Sequence, residues 1–296
     1  MDLLERTKEI CKLYDIWPSR SKGQNFLIEE TVYDKIIAAA DLRKTDTVLE
    51  VGPGLGFLTA KLAKAAGKVI AVELDKKLFD FLADGLNFSE LNNLELLNDD
   101  ILKLKNSDII SKLKIENSCL PDRQVKFKIV ANLPYNITSI FLRKFLSNEP
   151  RPELMVLLLQ KEVAQRICAK PGKMSLLALS VQFYAEPEII DYAPKENFWP
   201  MPKVDSAIIK IKIKSAAESA GRNAVEASFF RLAKFGFSAR RKMLKNNLAA
   251  GLRIEPAEAE KILLAAGLDP KVRAEDLTVA DWVKIADRIK RITHNA

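Results

Sequence analysis

The chain has 296 residues, 48% of them hydrophobic and 29% charged, with a net charge of +8. This is the composition of an ordinary globular protein with room for one large domain and a small one. A single histidine, His294, argues against histidine triads, histidine general bases and zinc–histidine sites. The three cysteines, Cys11, Cys119 and Cys168, lie far apart without metal-like spacing, so no metal is expected. The start, Met-Asp-Leu-Leu-Glu-Arg, has acids where a signal peptide needs a basic and then an apolar stretch. The strongest apolar run, 154–159, is far too short to cross a bilayer. A cytoplasmic protein without membrane contact is the expectation.

In chain order, Lys22-Gly-Gln-Asn25-Phe-Leu27 reads as a loop entering a helix at Thr31. From about residue 47 to 160, apolar β-rich runs alternate with helical patterns. The runs are 47–51, 69–73, 94–97, 127–131 and 154–159, and the helical stretches include 58–66, 75–86 and 139–146. Such alternation predicts right-handed βαβ units building a mostly parallel sheet. Two further β-like runs, 177–184 and 206–213, predict an antiparallel edge, joined through the proline-rich stretch Pro194–Pro202. After residue 214 helical periodicity dominates, with helices predicted over 225–235, 239–248, 256–266 and 280–292. Pro256 suits a first helical turn and Gly267 a helix stop. The expected division is therefore an α/β domain over 1–214 and a small all-helical domain over 215–296, with 215–220 as the linker.

Three constellations carry chemistry. In Glu50-Val-Gly52-Pro-Gly54-Leu-Gly56 a strand runs into a glycine loop and then a helix. Glycines let backbone N–H groups approach a ligand closely. The Gly-x-Gly-x-Gly spacing differs from the Gly-x-Gly-x-x-Gly of dinucleotide binders and favours S-adenosylmethionine over NAD. Glu73 ends the next strand, 21 residues after Gly52, where an acid can accept both hydroxyls of an adenosine ribose. Asp75, its competitor, suits the N-cap of the following helix. Asp99 and Asp100 follow the third strand, and spacing alone does not choose between them. At the end of the fourth strand stands Asn132-Leu133-Pro134-Tyr135. An amide oxygen and a backbone carbonyl can accept from an exocyclic amine while a phenol ring stacks on the attached heterocycle. The competing reading is a proline turn with Tyr135 covering the core.

Charge is uneven. Residues 1–214 carry 32 Lys and Arg against 29 Asp and Glu, whereas 215–296 carry 15 against 10. No acid occurs from Ala227 to Ile254, a span containing Arg240, Arg241, Lys242 and Lys245. A basic block without compensating acids predicts attraction to polyphosphate.

With these residues together, the chain closely resembles the small-subunit rRNA adenine dimethyltransferases of the KsgA type. The shared motifs occur in order: Gly23-Gln-Asn-Phe-Leu27, the glycine loop, Val72-Glu-Leu-Asp75, Asn132–Tyr135, Gln160-Lys-Glu-Val163 and Pro202-Lys-Val-Asp-Ser206. Phe237-Ser-Ala-Arg-Arg-Lys242 and Asp269-Pro-Lys-Val-Arg-Ala-Glu275 follow in the helical part. The likeness implies a class I, Rossmann-like methyltransferase sheet of seven mostly parallel strands with helices on both faces, plus a helical C-terminal domain. It implies dimethylation of two adjacent adenosines near the 3′ end of 16S rRNA within the small ribosomal subunit, using S-adenosyl-L-methionine; a monomer without metal is the further expectation. Cofactor contacts are implied at Asn25, Leu27, Gly52, Gly54, Glu73, Asp100 and Asn132. Catalytic positions are implied at Asn132, Leu133, Pro134 and Tyr135, while the basic block sets the expected rRNA contacts at Arg240, Arg241, Lys242 and Lys245. The alternatives are a large-subunit rRNA adenine methyltransferase of the macrolide-resistance type, and an assembly or transcription factor with secondary catalysis. One stretch departs from the family pattern: Pro171-Gly-Lys-Met-Ser-Leu-Leu-Ala178 is shorter and more apolar.

Overall fold

The first compact unit is built on a seven-stranded sheet whose inner strands, 68–73, 128–132 and 154–160, are buried almost end to end, as expected for strands covered on both faces. The computed structural model describes residues 2–19, 23–85, 91–112, 126–215, 218 and 223–294. Lys22, Leu86, Cys119 and most of the expected linker 215–220 lie outside them. The chain forms two compact units: residues 1–164 with 187–213, and residues 165–186 with 214–296.

In the first unit, helix α1 (Leu3–Leu13) precedes a two-residue strand β1 (Phe26–Leu27) and helix α2 (Glu30–Ala40). The alternating part follows: β2 (Thr47–Val51), α3 (Phe57–Ala65), β3 (Lys68–Glu73), α4 (Lys76–Gly85), β4 (Leu94–Asn98), α5 (Asn106–Lys112), β5 (Lys128–Asn132), α6 (Thr138–Ser147) and β6 (Leu154–Gln160). After α7 (Lys161–Ile167) and α8 (Leu176–Gln182) come β7 (Ala185–Ala193), the short β8 (Phe198–Trp199) and β9 (Ser206–Ile213). The strand order is β4-β3-β2-β5-β6-β9-β7. The first five strands pair in parallel and β9 pairs antiparallel to β6, which matches the expected class I architecture. Ile36 of α2 and Leu58 and Leu62 of α3 pack with Val48, Val130, Val156 and Ile208 in one buried layer. Among the described residues no helix is long and apolar enough to cross a membrane.

One expected strand is a helix. Residues 177–184 form most of α8, because the Ser175 hydroxyl accepts the Ala178 N–H at 3.2 Å and starts a helix there. An apolar run this short does not distinguish strand from helix by its periodicity. The edge strand instead begins at Ala185, with alternating buried and exposed positions.

The second unit contains α9 (Glu226–Gly236), α10 (Leu244–Leu252), α11 (Pro256–Ala265) and α12 (Val279–His294) around buried Phe183, Phe229, Leu248, Leu263 and Trp282. Pro256 opens α11, and Gly267 follows its end at φ +76°, with Leu268 N–H donating to Leu263 O at 3.0 Å. Residues 165–186 belong with these helices, so the division differs from the single cut expected after 214. The helix expected from Ala239 starts only at Leu244. Asn247 explains this: its buried amide donates to the carbonyls of Gly236 (2.6 Å) and Ala239 (3.0 Å) and holds 237–243 as a turn. The apolar departure at 171–178 is fastened within the same unit, where the N–H groups of Gly172 and Met174 both donate to Glu275 O.

Candidate active site

β2 pairs with β3 on one side and β5 on the other, which makes the carboxyl end of β2 the point where the strand order reverses. Open α/β sheets place their ligand crevices at such points. A cleft opens there, lined among others by Asn25, Leu27, Glu50, Gly52, Gly54, Glu73, Asp75, Asn132, Leu133, Pro134, Tyr135 and Phe198. Residues as distant in the chain as Asn25 and Phe198 thus line one cleft.

The glycine loop is built on positive φ angles: +69° at Gly52, +59° at Gly54 and +80° at Gly56, where α3 begins. Any other L-residue would cost about 1–2 kcal/mol in that conformation. The loop is tied to β3, because Gly54 N–H donates to Glu73 Oε2 (3.2 Å) while Asp75 N–H donates to Oε1 (2.8 Å). Burial pushes the Glu73 carboxyl above the usual range, and these two backbone donors pull it back. Asp75 also accepts the N–H groups of Lys77 and Leu78 and so caps α4, as its position after the strand suggests.

Glu50 is almost wholly buried at the cleft floor, and among the described residues its Oε2 has no hydrogen-bond partner. Desolvation pushes its pKa up to about 8, the nearby Thr59 hydroxyl opposes the rise, and the Glu73 charge adds to it. In the sequence Glu50 stands out only as the first residue of the glycine-loop motif. The signal it carries is a carboxylate inside an otherwise apolar strand.

The 25–27 segment reaches the cleft by strand pairing. Phe26 and Leu27 oppose Trp199 and Phe198 in an antiparallel pair, and Tyr33 donates its hydroxyl to Leu27 O at 2.8 Å. This pairing makes a strand of residues whose composition suggests a loop. It also brings in Phe198, which in the sequence is hidden within a proline-rich connection. An aromatic pair between Pro194 and Pro200 is the signal that marks it.

Asn132 ends β5, and its side-chain amide has no hydrogen-bond partner among the described residues. Leu133 extends the ladder through its N–H to Leu158 O, and Pro134 and Tyr135 turn the chain toward α6. The Tyr135 hydroxyl meets the Ser206 hydroxyl at 2.9 Å. Asp100 does not line the cleft. Its carboxylate accepts the Leu102 N–H at 2.9 Å and caps the turn after β4, while the neighbouring Asp99 N–H donates to Glu73 O. Among the described residues no cluster of three or more His, Cys, Asp or Glu is placed to hold a metal ion.

In the second unit Arg240, Arg241 and Lys242 stand exposed on the turn before α10. Lys245 lies within α10 and pairs with Glu260 at 2.7 Å, whereas the other three have no ion-pair partner among the described residues.

Residues 19–291 match the model of the ribosomal RNA adenine dimethylase family. This chain belongs to that family. It is 46% identical to the ribosomal RNA small subunit methyltransferase A of Dehalococcoides mccartyi strain CBDB1, over 96% of this chain and 92% of that protein. The crystal structure of a dimethyladenosine transferase from Plasmodium falciparum superposes with a TM-score of 0.71 at 25% identity, covering 89% of this chain and 96% of that one. The 23S rRNA methyltransferase ErmE superposes with a TM-score of 0.69 at 26% identity, covering 90% and 100%. The adenine dimethylase expected from the motifs is therefore the family shown by the whole chain.

Proposed function

We propose that this protein dimethylates the exocyclic N6 amines of two adjacent adenosines near the 3′ end of 16S rRNA, with S-adenosyl-L-methionine as methyl donor. The observation that carries this reading is the meeting of two motifs: a Cβ on Gly52 of the glycine loop would stand 3.9 Å from the Asn132 carbonyl oxygen. A donor held at the loop and an amine held at Asn132 are thereby neighbours. The 46% identity to a small-subunit enzyme, against 26% to the 23S enzyme, favours the small subunit as substrate. A cytoplasmic location follows from that substrate.

The cleft's own residues fit this cofactor. Glu73 stands ready to accept from the ribose hydroxyls, the glycine loop admits close backbone approach, and Asn25 and Leu27 line the same cleft. Asp100, next to the Asp99 whose N–H donates to Glu73 O, would accept from the cofactor's adenine amine. The bound cofactor supplies an electrophilic sulfonium methyl.

The remaining work is alignment, for which the chain needs no imidazole. Correct placement of two reactants can supply about 7–11 kcal/mol of a barrier. The adenine amine is a poor nucleophile because its lone pair is delocalised into the ring. Acceptance of its N–H bonds by Asn132 Oδ1 and the Leu133 carbonyl favours a pyramidal nitrogen and strengthens as positive charge develops. Pro134 fixes the turn, and Tyr135 stacks on the base drawn out of its strand. The released proton passes to water. Arg240, Arg241 and Lys242 serve as phosphate contacts that position rRNA, with Lys245 as a weaker one.

The test is transfer of labelled methyl groups from S-adenosylmethionine to unmethylated small subunits, with the product mapped by reverse-transcriptase stops. The expected label lies on two adjacent adenosines of 16S rRNA, and Asn132→Ala abolishes it while RNA binding survives. Label on large-subunit RNA alone, or near-normal turnover by the variant, refutes the corresponding part of the assignment.

A further inference from the structure

We propose that Ser206 is a positioning residue for methyl transfer, its hydroxyl fixing the plane of the Tyr135 ring on which the target base stacks. The inference rests on the role given to Tyr135 above. Tyr135 sits on the connection between β5 and α6, outside the sheet, where a ring attached through two rotatable bonds has no strand to hold its orientation. Its hydroxyl lies 2.9 Å from Ser206 Oγ, 71 residues away in sequence.

Ser206, by contrast, is held firmly. It is fully buried and opposes Gln160 at the end of an unbroken antiparallel register running back to the Leu154–Lys212 pair. The preceding Asp205 is fastened three times. Its carbonyl accepts Lys161 N–H at 2.9 Å, Oδ2 pairs with Lys161 Nζ at 3.2 Å, and Oδ1 accepts Lys195 N–H at 3.3 Å. The next residues, Ala207, Ile208 and Ile209, are apolar and wholly buried. Packing alone would be served by alanine at 206. Among the described residues, the side-chain partner of its hydroxyl is the Tyr135 phenol.

The consequence is geometric. The phenol is anchored at its far end, so its ring face keeps a set angle to Asn132 and to the cleft floor. Misplacement of a reacting group by about 1 Å can cost about 100-fold in rate. The demand is stricter for the second transfer, because the amine then carries a methyl group and must still present its lone pair along the same line. Loss of the anchor should slow that step more than the first.

The experiment compares Ser206→Ala, Ser206→Thr, Tyr135→Phe, the double variant Ser206→Ala/Tyr135→Phe, and Tyr135→Ala on small subunits. Turnover, KM, and the ratio of monomethyl to dimethyl adenosine are read for each. Ser206→Ala and Tyr135→Phe should each lower kcat about tenfold with KM changed less than twofold, and both should accumulate N6-monomethyladenosine. The double variant should be no worse than either single one, because both remove the same bond. Ser206→Thr, which keeps the hydroxyl, should restore the dimethyl product. Tyr135→Phe leaves β9 untouched, so it reports even where Ser206→Ala disturbs folding. Wild-type product ratios in Ser206→Ala and Tyr135→Phe beside an inactive Tyr135→Ala overturn the role of Ser206 alone, as do additive losses in the double variant. Full activity in Tyr135→Ala overturns the stacking role of Tyr135 on which it rests.

Discussion

The backbone N–H of Gly54 donates to Glu73 Oε2 at 3.2 Å, tying the loop that leaves β2 to the carboxylate that ends β3. The Asp75 N–H on the other oxygen, at 2.8 Å, completes a clamp that orients the acid in a buried place. Glu73→Ala removes the acceptor for both donors and the proposed ribose partner. Hydrogen bonds to a charged group contribute about 1.5–3 kcal/mol each, so cofactor affinity should fall at least about 100-fold. Titration calorimetry with S-adenosylmethionine checks this, and affinity within twofold of wild type removes Glu73 from the cofactor site.

Glu50 makes stability depend on pH. Its carboxyl titrates near 4.5 when unfolded and at about 8 when folded, because burial disfavours the charge. The folded state therefore keeps a proton that the unfolded state has already lost. The contribution is full below pH 4.5 and fades as pH rises to about 8. Melting temperatures of the cofactor-free protein should fall over that window, and Glu50→Gln should flatten the fall. Parallel curves for the two proteins would show that Glu50 is not the group responsible.

Lys128 anchors the opposite end of the sheet. Its ammonium, 10% exposed, donates to Ala40 O, Asp41 O and Asp46 Oδ2 at 3.2, 2.7 and 2.9 Å. Removal of one partner of a largely buried pair is strongly destabilising, so Lys128→Met should cost about 3 kcal/mol. Urea denaturation of the sheet unit measures the loss. Methyl transfer at 25 °C should persist, since the cleft lies at the other strand ends. A loss below 1 kcal/mol contradicts this account.

The exposed cations on the turn before α10 make a different prediction. Neutralising Arg240, Arg241 and Lys242 together should weaken rRNA binding and reduce the slope of log affinity against log salt by about 2, with each phosphate contact contributing roughly 0.7–0.9. The added change Lys245→Gln should alter the slope less than any one of them, because Lys245 is already paired with Glu260. Binding measured across a salt series decides it, and an unchanged slope counts against rRNA contact by the turn.

The elements that were legible share a property: their signal is local. The runs at 47–51, 127–131 and 154–159 are apolar but for Thr47, Glu50 and Lys128, and all became strands within a residue of expectation. Pro256 and Gly267 mark the ends of α11 because a missing N–H and a positive φ act on the backbone where they stand. The misread stretches depend on partners elsewhere. Residues 177–184 needed the Ser175 cap to show a helix, and the turn at 237–243 is held by an asparagine further along the chain.

The amino-acid sequence by itself determined the βαβ alternation, the glycine loop, the acid after the second strand, and the ordered motifs of an adenine dimethylase. Each rests on hydrophobic period or backbone conformation over a few neighbouring residues. Only the tertiary structure decided that Phe198 joins the cleft, that Asp100 caps a turn beside it, that residues 165–186 belong with the helices, and that Ser206 holds Tyr135. The first of these follows from β1 pairing with β8, and the last from β9 lying antiparallel to β6. Strand register of that kind is set by long-range burial and hydrogen bonding, which no short window of sequence contains.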